Sequence, residues 1–104
     1  VPSLRGIGRI FVDAAATRRA LALSDSPAHG LTFCQGTYTT MGEDVAALIA
    51  EWKDRIRFVH LRDVAGTPEK FRETFHDNGP TDMVALLRAY RDAGLDVLLR
   101  SDHV

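Results

Sequence analysis

Two stripes of apolar residues at helical spacing, set among three short apolar runs, constrain this chain more than any other feature of its sequence. Val45, Leu48, Ile49 and Trp52 fall at i, i+3, i+4 and i+7, which places all four on one side of a helix beginning near Glu43 and ending before Asp54. Met83, Leu86, Leu87 and Tyr90 repeat the spacing, with Gly79-Pro80 as breaker, Thr81 as N-cap and Gly94 as stop. A further helix is read over residues 13–23, where Asp13 caps an alanine-rich segment whose Ala16, Ala20 and Leu23 face inward; residues 24–30 follow as a loop. The apolar runs 31–34, 56–61 and 97–99 lack strict alternation with polar residues, as strands buried in a parallel sheet do. Residues 62–78 read as irregular.

Helix, strand, helix, strand, helix, strand is the order of consecutive βα units, so the fold class is α/β with neighbouring parallel strands. Crossovers of one hand leave the C-terminal ends of all strands open on one face. Polar residues gather there: Cys34 closes the first strand, His60 lies near the end of the second, and Arg100, Ser101, Asp102 and His103 follow the third. A closed eight-stranded barrel takes roughly 250 residues. These 104 residues supply about three βα units, and the expectation is an incomplete portion of a single (β/α) barrel domain spanning residues 1–104.

Charge narrows the function classes. Thirteen basic and 14 acidic side chains are mixed along the chain, giving a formal charge of -1, so no basic stripe marks a nucleic acid or an anionic membrane as partner. No apolar run approaches the roughly 20 residues that span a bilayer, and a cytoplasmic protein is expected. The single cysteine excludes an internal disulfide and leaves Cys34 as a core residue, a metal ligand or a nucleophile.

A thiolate, an imidazole and a carboxylate from three strand ends are ordinary ligands for a divalent transition metal, and Cys34, His60 and Asp102 supply that set. They lie 26 and 42 positions apart, so no compact ligand motif announces them, and each has a plain structural reading as well: buried cysteine, hydrogen-bonded histidine, capping aspartate. Arg62 and Arg100 suit a substrate carboxylate, which a guanidinium binds through two parallel bonds, or equally a structural ion pair with Asp63 or Asp102. His76, within Phe75-His76-Asp77-Asn78-Gly79, is read as a substrate contact or as part of an Asn-Gly turn.

Five segments in order, Gly30-Leu31-Thr32-Phe33-Cys34-Gln35-Gly36, Met41-Gly42-Glu43-Asp44, Phe58-Val59-His60-Leu61-Arg62-Asp63-Val64, Phe75-His76-Asp77-Asn78-Gly79-Pro80-Thr81-Asp82-Met83 and Arg100-Ser101-Asp102-His103-Val104, resemble the mannonate dehydratase family, with Ser26-Pro27-Ala28 ahead of them. The resemblance implies the C-terminal part of a TIM barrel of the xylose-isomerase-like kind. It implies dehydration of D-mannonate to 2-dehydro-3-deoxy-D-gluconate in hexuronate (glucuronate) breakdown, with Mn²⁺ or Fe²⁺ as cofactor. It makes Cys34, His60 and Asp102 metal ligands, and His103, with Asp102 beside it, the acid-base group. The chain departs from the family at Ser101, where a proline is typical, and lacks the upstream His-Pro-Asp-Asp-Pro segment that carries a further metal-binding histidine. The 104-residue chain by itself is therefore expected to be inactive. Homo-oligomerisation of a full-length enzyme stays open. The other readings are a metal-dependent sugar isomerase or epimerase on the same barrel, or an inactive truncated remnant.

Overall fold

In a computed structural model, residues 2–103 are described. β1 (Ser3–Leu4) and β2 (Ile7–Gly8) form an antiparallel hairpin. Its tight turn is made by Arg5 and Gly6, both at positive φ, as a right-twisted two-residue hairpin requires. α1 (Ala14–Leu21) is capped by Asp13, whose carboxylate accepts from the Ala16 N–H at 2.8 Å. Ala14, Ala16, Thr17 and Leu21 face inward. Leu23 does not: the helix has ended at its C-cap Ala22, and Leu23 is 84% exposed.

β3 (Leu31–Cys34), β4 (Ile56–Leu61) and β7 (Leu98–Ser101) make a parallel sheet in the order β3-β4-β7. The parallel pairing expected of the three apolar runs is therefore present, though the last strand begins one residue later than expected and continues through Arg100 and Ser101. α2 (Gln35–Thr40) follows β3 directly and was not legible in the sequence. A glycine and three threonines give it no apolar stripe, and Thr39 and Thr40 bond back to the carbonyls of Gln35 and Gly36 at 2.9 and 2.8 Å. α3 (Val45–Trp52) buries Val45, Leu48, Ile49 and Trp52, the four residues of its stripe.

The segment read as irregular holds a second antiparallel hairpin, β5 (Asp63–Gly66) and β6 (Phe71–Thr74). Gly66, at φ +128, brings its backbone against Lys70 and Phe71, where a side chain has no room. α4 (Met83–Asp92) buries Leu86 and Tyr90 and stops at Ala93, with Gly94 at φ +73 just beyond. Its N-cap is Asp82, which accepts from the Ala85 N–H at 3.0 Å. Thr81 is drawn elsewhere: its N–H and hydroxyl both donate to the buried carboxylate of Asp63, at 2.8 and 2.6 Å.

The core lies between the sheet and the helices. Phe33 and Val59 are fully buried there, and Phe33, Tyr38 and Trp52 pack with ring centroids 5.0 to 6.2 Å apart. Such aromatic contacts add about 0.5–1.5 kcal/mol each beyond the area they bury. Gln35, buried beside them, is satisfied by the Tyr90 hydroxyl, which donates to Oε1 at 3.0 Å. Burial pushes that phenol above its ordinary pKa, so it stays a donor. Side chains alternate across a strand, so Cys34, His60 and Arg100 share the other face of the sheet, one row in register across β3, β4 and β7. No helix among the described residues is long and apolar enough to cross a membrane.

Candidate active site

Register alone brings Cys34 beside His60, because the two are direct partners at the ends of β3 and β4. Asp102 lies two residues beyond Arg100 and so points to the same face. Its N–H donates to the Leu61 carbonyl at 2.9 Å, which extends the strand pairing past Ser101 and fixes the backbone from which the carboxylate projects. The Cys34 thiol is 3.7 Å from Asp102 Oδ2, and His60 Nδ1 is 4.0 Å from the same oxygen. One ligand atom from each of the three lies within 4.8 Å of the others, and all three residues are half-buried. Donors about 2.0–2.3 Å from a shared ion stand about 3.3–4.5 Å apart, so this sulfur, nitrogen and oxygen set fits a divalent transition metal with small side-chain adjustments. Phe58, edge-on to the His60 ring with centroids 5.2 Å apart, helps fix the imidazole plane.

Burial works against ionisation of Asp102, but the His103 N–H and the nearby His103, His60 and Arg62 outweigh it and hold the carboxyl below its ordinary range. The bond from the His103 N–H to Asp102 Oδ1 is 2.9 Å. The His103 ring lies between two carboxylates, with Nδ1 2.6 Å from Glu73 Oε2 and Nε2 3.9 Å from Asp102 Oδ1.

The two arginines separate. Arg62 pairs with neither Asp63 nor Asp102; its NH1 donates to Glu73 Oε1 at 3.0 Å, and its NH2 reaches Thr37 Oγ1 at 3.4 Å. Its buried Nε has no partner among the described residues. Asp63 is instead a buried brace, accepting from the Val64 N–H at 2.8 Å as well as from Thr81. Arg100 is exposed in the row with His60. His76 sits exposed in the turn after β6, closed by the Asn78 N–H on the Phe75 carbonyl at 3.0 Å, and is not among the residues that converge at the strand ends.

Glu73 was missed in the sequence. It lies on a strand that the sequence reading left irregular, and the only clue was the turn chemistry of Gly66-Thr67-Pro68 between two short extended segments. A groove of about 420 Å³ between the N-terminal segment, α2 and the second hairpin also borders Arg62. Its lining includes none of the three converging residues, and the polar chemistry lies at the strand ends.

The D-mannonate dehydratase (UxuA) family model matches residues 1–104. Mannonate dehydratase 2 of Halalkalibacterium halodurans is 38% identical over 107 aligned residues, covering 97% of this chain and 31% of that protein. Mannonate dehydratase of Enterococcus faecalis is 40% identical over 102, covering 94% and 29%. The crystal structure of mannonate dehydratase from Streptococcus suis serotype 2 superposes with a TM-score of 0.86 at 34% identity, over 97% of this chain and 30% of that one. The chain thus spans about three-tenths of the length of the relatives it matches.

Proposed function

Because this chain belongs to the D-mannonate dehydratase family, we propose that it forms part of a single (β/α) barrel that dehydrates D-mannonate to 2-dehydro-3-deoxy-D-gluconate, with the reacting centre at its strand ends. The observation that carries the reading is the convergence of Cys34, His60 and Asp102 on the face where parallel (β/α) folds place their active sites. The reaction removes a proton from the carbon next to a carboxylate and a hydroxyl from the neighbouring carbon, which leave together as water. Neither bond breaks readily at neutral pH without stabilisation of the charge that develops.

Cys34, His60 and Asp102 would hold a divalent ion, Mn²⁺ or Fe²⁺. When bound, such an ion supplies Lewis-acid stabilisation of negative charge on substrate oxygens. His103 carries the proton transfer, since an imidazole exchanges protons near neutral pH. Asp102 contributes twice, as a ligand through one oxygen and as the acceptor that anchors the His103 backbone through the other.

Arg100, exposed on the strand row beside His60, is the better placed arginine for the substrate carboxylate, because the Arg62 guanidinium is already engaged by Glu73 and Thr37. His76 is the remaining candidate for a substrate contact. Hexuronate catabolism in the cytoplasm is the setting that fits such an activity. The test is turnover of D-mannonate by a purified complete enzyme carrying this sequence, with and without Mn²⁺ or Fe²⁺. Formation of the 2-dehydro-3-deoxy acid is expected, and inactivity on D-mannonate with either ion would overturn the reading.

A further inference from the structure

Glu73 uses both carboxylate oxygens, and each bond joins a different part of the candidate site. Oε1 takes the Arg62 NH1 at 3.0 Å, and Oε2 meets His103 Nδ1 at 2.6 Å. Arg62 is itself held, with NH2 on Thr37 and its aliphatic stem packed over Gly36, so the carboxylate is fixed from behind by a restrained cation. Glu73 is 23% exposed and Arg62 12%, so this pair is largely shielded from solvent, unlike an ordinary surface ion pair. The hairpin that carries Glu73 is in turn tied to the start of α4 through Asp63 and Thr81.

An ionised carboxylate only accepts hydrogen bonds, so the short contact requires the proton on His103 Nδ1 and, in the neutral ring, leaves the Nε2 lone pair free. We infer that Glu73 is a positioning residue that fixes the orientation and tautomer of the His103 imidazole, so that Nε2 is the atom through which protons are exchanged. Nε2 is 3.9 Å from Asp102 Oδ1, which keeps it on the side of the proposed ligand set. Arg62 then serves the reaction through Glu73 and makes no substrate contact of its own. The inference rests on the reading of His103 as the proton-transfer group.

Glu73→Gln in the complete enzyme preserves shape and removes the charge that selects the tautomer. The expected result is a kcat lower by about 10- to 100-fold, with KM for D-mannonate within about twofold of the parent. Bound metal and melting temperature should match the parent. A second readout does not depend on turnover: ¹⁵N shifts of the His103 ring in the metal-free complete enzyme should report Nδ1–H in the parent and a mixture of tautomers in Glu73→Gln. Unchanged kcat overturns the inference. So does a loss of activity that follows lost metal or lost stability while the tautomer stays fixed, which is the behaviour of a purely structural glutamate. If Glu73→Gln fails to fold, a parent ring carrying its proton on Nε2 overturns the inference alone. A parent with the expected tautomer but no activity on D-mannonate would refute the proposed reaction and leave the Glu73 assignment standing.

Discussion

Gly36→Ala should destabilise the protein, against the usual direction of a glycine-to-alanine change inside a helix. A methyl group at Gly36 would lie 2.8 Å from Arg62 Cβ and 2.9 Å from Cγ, and closer still to Nε. Carbon atoms in contact normally stand about 3.5–4.0 Å apart. Arg62 cannot step aside freely, because its NH1 and NH2 are bonded to Glu73 and Thr37. Overpacking of this kind costs about 1–3 kcal/mol, while helix propensity returns at most about 1 kcal/mol and less in the first turn of a six-residue helix. The net expectation is a loss of about 1–2 kcal/mol, read as a lowered urea midpoint at constant slope in a complete enzyme carrying this sequence. The decisive comparison is the same change in an Arg62→Gly background, which also removes the Cβ that an alanine there would leave 2.8 Å from the new methyl. With the obstacle removed, Gly36→Ala should become neutral or stabilising by up to about 1 kcal/mol, giving a coupling of about 1–3 kcal/mol between the two sites. Equal effects in both backgrounds would refute the close approach of Arg62 to α2.

Asp63→Ala should cost at least about 3 kcal/mol, since it strips a buried acceptor from two backbone N–H groups and one hydroxyl; Asp63→Asn should recover little, because its amide turns a donor toward donors. A loss under about 1 kcal/mol in the same urea assay would contradict the brace. The bidentate Arg18–Glu51 pair, at 2.7 and 2.8 Å, holds the Glu51 carboxyl below its ordinary range. A depressed folded-state pKa adds stability above the unfolded pKa and loses it as pH falls. Glu51→Gln should therefore lower the melting temperature at pH 7 and make no difference at a pH acidic enough to protonate Glu51, and an equal deficit at both would exclude an electrostatic origin.

The parallel sheet was legible because buried strands are nearly continuous apolar runs and the helices of α3 and α4 write their period plainly. The convergence of Cys34, His60 and Asp102 was legible for the same reason: strand ends on one face come together by topology, so the three could be grouped without a local motif. Elements stabilised chiefly by what they touch were not legible. α2 has no apolar stripe and is held by threonine hydroxyls and by Tyr38 in the aromatic cluster. β5 and β6 are short, and β6 has a single apolar residue, Phe71, and no alternation to stand out, yet they carry Glu73 and the buried Asp63. The cap expected at Thr81 falls to Asp82 because a buried carboxylate, invisible in the linear pattern, competes for the threonine. Leu23 was misplaced because helix length, and with it the phase of the last turn, is set at the ends.

Cys34, His60 and Asp102 are proposed to hold the divalent ion on which D-mannonate dehydration depends. The most direct test is bound metal, measured by elemental analysis beside turnover, in a complete enzyme and its Cys34→Ala variant, each stripped by chelator and then resupplied with Mn²⁺ or Fe²⁺. The parent should lose activity with its metal and regain both. Cys34→Ala should keep its fold by circular dichroism and melting temperature while binding metal at least about tenfold more weakly and showing no metal-dependent turnover. Full metal occupancy and full activity in Cys34→Ala, or undiminished dehydration by the stripped parent, would contradict that role.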